Sequence, residues 1–290
     1  MATVLRDTLD HLYDGQRSGR WNYDQLHKTE KTHTGTLMEI NLHREFGFDD
    51  GDATDYRIAG IQVDCKSSMW RGAWMLPPEP VGHLCLLLWT SDIESAWSSG
   101  LLRVDPAKLG PPNRGKRRLT AEGRPLIHTL WPDDGRLAEN LLLHLDDETR
   151  TRILGAQARR GLYHGQPRIN ELFWSAHSRI VRRAIFATIG QQGDFMKRAR
   201  TNGGSHATAA KGILVLGHQD NDPKVAGDLG LPKLRKGSLS RRALCQWVRM
   251  MTAQRQRLRA NSGPSPKEAN PVVPAPEVPR KRGQPSNDEE

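Results

Sequence analysis

The chain has 290 residues, 36% of them hydrophobic and 26% charged, which is room for two ordinary domains with modest cores. Its longest apolar run, residues 84–89, is far short of the roughly 20 residues that span a bilayer, and the start Met1-Ala2-Thr3-Val4-Leu5-Arg6-Asp7 lacks a signal-peptide layout, so a cytoplasmic protein is expected. The net charge of +10 is concentrated: residues 151–260 carry 21 Lys+Arg against 5 Asp+Glu, whereas residues 1–105 carry 10 against 16. A basic half of this kind attracts a polyanion, and nucleic acid is the commonest one in the cytoplasm. Cys65, Cys85 and Cys245 form no CxxC pair, which argues against a disulfide framework or zinc ribbon and for buried reduced thiols. Nor do histidines such as His43 and His83 have ligand spacing.

In chain order, Thr3 to Asp14 and Gly35 to Phe46 read as helices, the second ending near Gly47. Thr54 to Ile58 and Ile61 to Ser67 are β-rich segments joined by Ala59-Gly60, the signature of a hairpin. Leu84 to Thr90 reads as a buried strand and Ser95 to Val104 as the next. Asp105 to Pro125 is a loop punctuated by Pro106, Pro111, Pro112 and Gly115. Its run Lys116-Arg117-Arg118 either lies along a phosphate backbone or is merely solvated. Helices are expected at Leu137 to Leu145, Glu148 to Gly155, Ile169 to Ile189 and Asp194 to Arg200, with a short strand at Ile213 to Leu216. The last thirty residues hold 7 of the 18 prolines and almost no large apolar side chain, so 261–290 is expected to be a disordered tail.

One constellation has chemical promise. Asp55 is separated by eight residues from Asp64-Cys65-Lys66, and Glu39 lies sixteen residues upstream of Asp55. Strand alternation puts Asp64 and Lys66 on one face, their Cβ atoms about 6.5–7 Å apart, with Ile61, Val63 and Cys65 on the other. The hairpin can bring Asp55 beside them, and the preceding helix can hand in Glu39. Clustered carboxylates call for a cation, and hard oxygen donors suit Mg²⁺. Asp55 and Asp64, with Glu39, are the candidate metal ligands, and Lys66 is placed to stabilise charge developing on a phosphodiester. The bland alternative is a surface salt-bridge patch.

The segments Glu30-Lys31-Thr32, Gly35 to Ile40, Arg44-Glu45-Phe46, Asp55-Tyr56 and Val63-Asp64-Cys65-Lys66 resemble the NaeI family of restriction endonucleases. The likeness continues through Ile169 to Leu172, Arg182-Arg183-Ala184, Asp194 to Arg198 and Gly212 to His218. It implies an α/β fold with a restriction-endonuclease-like mixed sheet flanked by helices (1–135, PD-(D/E)xK core). A mainly helical winged-helix DNA-binding domain (146–260) and the tail (261–290) follow. It assigns Glu39, Asp55, Asp64 and Lys66 to the active site. It also implies Mg²⁺-dependent double-strand cleavage of DNA by a homodimer that binds two copies of a GC-rich palindrome, one as effector, beside a protecting methyltransferase. The residues themselves add Arg179, Arg182 and Arg183 on one predicted helix, and Lys197, Arg198 and Arg200 on the next, as groups facing phosphates; a solvated helical face is the alternative.

Leu12-Tyr13-Asp14-Gly15 resembles the KxDG motif of nucleotidyl-transferring ligases, but Leu12 has no amine to form an adduct, so no ligase activity is expected and Leu5, Leu9 and Leu12 read as a core stripe. Two further readings stay open: a non-catalytic DNA-binding regulator, and a mismatch or junction nuclease with the same core.

Overall fold

The computed structural model describes residues 1–158, 163–176, 179–199, 213–216, 224 and 246–250. Cys245, Arg200 and the tail 261–290 lie outside the described residues. The chain divides into two compact units, one of Met1–Asp14 with Arg20–His144, the other of Gly15–Gly19 with Leu145 onward.

The first unit opens with α1 (Ala2–Tyr13), whose Leu5, Leu9 and Leu12 form the expected buried stripe, and Asp14 ends it in the left-handed region. The long helix α3 (Lys28–Phe46) ends at Gly47 as expected but begins at Lys28, two turns before the predicted Gly35. Its first turns show no apolar period because Lys28 to His33 stays at the surface. They are fixed instead by Glu30, whose carboxylate accepts the His27 N–H at 2.9 Å and chelates Arg20 at 2.6 and 2.8 Å.

Six strands form one sheet in chain order: β1 (Asp49–Asp50), β2 (Tyr56–Ile58), β3 (Ile61–Ser68), β4 (Leu84–Ser91), β5 (Ala96–Arg103) and β6 (His128–Arg136). Only β3 and β4 run parallel, so the sheet is mixed. The Ala59-Gly60 hairpin is present, both residues with positive φ (49° and 78°), as a two-residue turn matched to strand twist requires. Side-chain alternation then sorts two cores. Val63, Cys65, Leu86, Leu88 and Trp97 face α1 and α3. Cys85, Leu87 and Leu102 face the opposite side, which the 69–83 crossover and the 105–125 loop cover with Leu76, Leu109 and Leu119.

Two expectations for this unit need correction. Strand β6 was not expected; Pro132 and Gly135 obscure a strand that pairs with β5 on one side, through two irregularities. And 137–145 is not a helix but a single 3₁₀ turn, Leu141–Leu143. Its leucines are drawn into the core one by one, while the buried Asn140 amide donates to Trp21 O (2.8 Å) and Asp92 Oδ2 (2.9 Å). Asp92 also accepts Tyr13 Oη at 2.7 Å and pairs with buried Arg6, which ties α1, the β4–β5 turn and this segment into one polar node.

The second unit contains α2 (Gly15–Ser18), α4 (Asp147–Gly155), α5 (Gly165–Ser175), β7 (Arg179–Val181), α6 (Arg183–Gly190), α7 (Phe195–Ala199), β8 (Ile213–Leu216) and β9 (Gln246–Met250). The helix predicted over 169–189 is therefore two helices with a strand between them. Ile180 and Val181 are β-formers whose partner, β9, lies far along the chain, so local periodicity could not reveal the break. Both β7 and β8 pair antiparallel with β9, and Phe173 packs on Phe186 with ring centroids 5.6 Å apart. No helix among the described residues is long and apolar enough to cross a membrane.

Candidate active site

The register of the first hairpin builds the site. Tyr56 pairs with Val63, so the next rung sets Asp55 beside Asp64. Asp55 Oδ2 accepts the Cys65 N–H at 2.7 Å, which holds the carboxylate against β3 just where the short β2 ends. Alternation turns Asp64 and Lys66 to the side lined by Cys85 and Leu87, as expected, and Asp64 is buried there. Cys85 sits on the facing rung of β4, its sulfur 3.8 Å from Asp64 Oδ2.

Three oxygens converge on the Lys66 ammonium: Asp64 Oδ2 at 2.6 Å, Asp55 Oδ2 at 3.3 Å and Cys65 O at 2.9 Å. Burial would push Lys66 down, but the Asp64 hydrogen bond and both carboxylates outweigh it and hold the ammonium above the ordinary lysine range. Asp64 moves the other way from most ion-paired acids. Burial, aided by Asp55, raises it to about 6 although Lys66 opposes the shift. Glu39, on α3, lies within electrostatic reach of Asp55, Lys66 and Asp64. It is half-buried and raised by burial and then by Asp55, while its backbone oxygen accepts the Tyr56 hydroxyl at 2.9 Å. Tyr56 thus pins α3 to the hairpin, a role that only its position next to Asp55 hinted at. Burial pushes the Cys65 thiol up to about 12, so it is inert packing rather than a nucleophile.

Among the described residues no group of three His, Cys, Asp or Glu side chains is arranged to hold a metal ion unaided. The donors that are present fit a hexacoordinate hard cation all the same. Two carboxylates and a carbonyl already surround one positive charge, and Mg²⁺ keeps several waters and takes substrate phosphate oxygens beside one or two carboxylates.

The other candidates are scattered. Arg117 donates to Gly110 O (2.7 Å) and Leu109 O (3.2 Å), so it braces its own loop. Arg118 Nε lies 3.3 Å from Met75 Sδ, and Lys116 is exposed. Arg179, Arg182 and Arg183 do not share a helix: they lie on β7, at the N-cap of α6 and on its first residue, because the strand intervenes. The Arg183 guanidinium packs over Phe195 at 4.9 Å, and Arg198 pairs with Asp194 at 3.0 Å. Lys197 is exposed.

Two acids gathered around a lysine ammonium, on a strand bordered by a hairpin, suit phosphodiester cleavage, and the class of protein this arrangement points to is a nuclease. Residues 1–249 match the family described as Restriction endonuclease NaeI. The chain is also 56% identical over 282 residues to the Type II restriction enzyme NaeI of Lentzea aerocolonigenes, covering 97% of this chain and 89% of that one. This chain belongs to the NaeI restriction endonuclease family.

Proposed function

We propose that this protein is a type II restriction endonuclease that hydrolyses both strands of DNA at a specific site with Mg²⁺, through a PD-(D/E)xK site made of Glu39, Asp55, Asp64 and Lys66. The observation that carries this reading is the convergence of Asp55, Asp64 and the Cys65 carbonyl on one cation position. Asp55 and Asp64, with Glu39, would hold the metal. When bound, Mg²⁺ polarises the scissile phosphate and makes water a better nucleophile. Lys66 gives up its contacts with the two carboxylates and turns its ammonium to the phosphate oxygens, where negative charge grows. The apolar wall of Cys85 and Leu87 limits water behind Asp64, which strengthens each of these interactions.

In the same reading residues 1–135 are the catalytic domain, 146–260 a winged-helix DNA-binding domain and 261–290 a tail. Two copies form a homodimer, which offers one active site to each strand. The basic domain takes a second copy of the recognition site and activates the first, and a cognate methyltransferase protects host DNA. The excess of 21 Lys+Arg over 5 Asp+Glu in 151–260 supports a second DNA site there. Incubation with unmethylated plasmid separates this reading from its rivals. Discrete fragments that need Mg²⁺ and vanish with EDTA are expected; binding without cutting would favour a regulator, and nicking confined to distorted DNA a junction nuclease.

A further inference from the structure

Beyond the catalytic group, the catalytic unit carries an exposed aromatic and a basic hairpin tip that the chemistry leaves unused. Trp70 is 73% exposed, and among the described residues no large hydrophobic side chain is more so. It is not on a loose loop. Ser68 Oγ donates to Trp70 O at 2.7 Å and accepts its N–H at 3.1 Å, and the Ala73 N–H closes the turn on Trp70 O at 3.1 Å. Its neighbours are already engaged: Trp74 Nε1 donates to Leu88 O at 2.7 Å, and Arg71, though exposed, stacks over Trp89 at 3.6 Å and pairs with Glu94. These bonds hold the indole at a fixed place in solvent.

Ser68 shares the face of β3 that presents Asp64 and Lys66, so the turn springs from the catalytic side of the sheet. The 105–125 loop covers that same side. It is joined to the crossover by reciprocal bonds between Leu76 and Arg117 (2.9 and 2.8 Å), and Arg118 reaches Met75. Within it, Asn113 and Lys116 close a tight hairpin at 2.7 and 3.1 Å, with Arg114 and Gly115 both at positive φ (50° and 79°). An arginine held in the left-handed region is strained, and here it stands at a tip in solvent. Lys108 is paired with Glu122 and Arg117 is used inside the loop, whereas Arg114 and Lys116 are exposed and have no carboxylate partner among the described residues. Residues 106–125 hold six Lys+Arg against one Glu, inside an otherwise acidic unit.

We propose that the Trp70 turn and the Arg114–Lys116 hairpin tip are the substrate grip of the catalytic unit, holding duplex DNA beside Asp64 and Lys66. Arg114 and Lys116 take backbone phosphates, and the Trp70 indole packs on the duplex next to the scissile step. This rests on the nuclease reading and adds which side chains of the catalytic unit hold the substrate.

The test uses the full chain, a plasmid that the wild type cuts at discrete sites, and a short duplex copied from one of them. Trp70→Ala is expected to raise KM at least tenfold with kcat changed less, and Trp70→Tyr to restore most of the loss. Arg114→Ala/Lys116→Ala is expected to raise KM and to flatten the dependence of log KM on log salt by about 2, since each neutralised phosphate contributes about 0.9. In iodide quenching, adding duplex in Ca²⁺ should shield a fluorescence component that is missing from Trp70→Phe. Wild-type KM and salt slope in these variants, or an indole equally quenched with and without duplex, would overturn the proposal. The quenching arm is run with a random-sequence duplex as well and reads contact whether or not DNA is cut, so an inactive wild type would count against the nuclease reading alone.

Discussion

The Lys66 ammonium lies 2.6 Å from Asp64, and the same ammonium reaches Asp55 at 3.3 Å, so a lysine neutralises the same acids that a divalent cation would share. Lysine and metal therefore compete for the same oxygens. Lys66→Met should bind Ca²⁺ or Mn²⁺ severalfold more tightly than wild type in calorimetry while losing cleavage by several orders of magnitude. Unchanged metal affinity would show that the lysine and the metal occupy different places.

Asp64 titrates near 6 in the folded chain against an ordinary 3.8, chiefly because it is buried. Its ionisation costs the metal-free fold free energy, and that cost is absent below pH 4 and complete above pH 6. Asp64→Asn should accordingly raise Tm in EDTA at pH 8, with the gain closing as pH falls toward 4. Wild-type metal binding should weaken below pH 6 for the same reason, because the proton must leave before the metal enters.

Asp55 has two duties that substitution can separate. Its carboxylate accepts the Cys65 N–H, and an amide oxygen can do that as well. Asp55→Asn is expected to keep wild-type stability yet lose cleavage, whereas Asp55→Ala should lose cleavage and also about 1–2 kcal/mol in urea unfolding. Without metal, both should bind duplex DNA as tightly as wild type or more tightly, since a charge facing the phosphates is gone.

Far from the chemistry, the Arg6–Asp92 pair is buried, and Asp92 also satisfies Tyr13 and Asn140. Asp92→Ala would leave the buried Arg6 guanidinium with Asp10 alone, at 3.0 Å, and strip the Tyr13 hydroxyl and the Asn140 amide of an acceptor, and should cost about 3 kcal/mol, read as a lowered urea midpoint.

The effector reading makes a kinetic demand. A short duplex carrying the recognition site, added in trans to a slowly cut single-site plasmid, should accelerate its cleavage. If the duplex only slows the reaction at every concentration, the second unit is an anchor rather than an activating site.

The juxtaposition of Asp55, Asp64 and Lys66 was legible in the sequence because the relations that build it are local. Period-two alternation and a two-residue turn at Ala59-Gly60 set Asp55, Asp64 and Lys66 on neighbouring rungs, and the leucines of α1 and β4 announced their burial by spacing alone. Charge segregation was equally plain. What the linear chain did not contain was any relation closed over a long distance. Strand β7 inside the expected 169–189 helix exists because β9 pairs with it from residue 246 onward, and the apparent 137–145 helix yields to the core and to Asp92. Pairing energy from a distant strand outweighs local helical propensity there, which is why Arg179 and Arg183 part company. The exposure of Trp70 and the bracing of Arg117 were hidden for the same reason: composition marks a loop as aromatic or basic, but only the packed fold decides which side chains it uses up and which it leaves facing solvent.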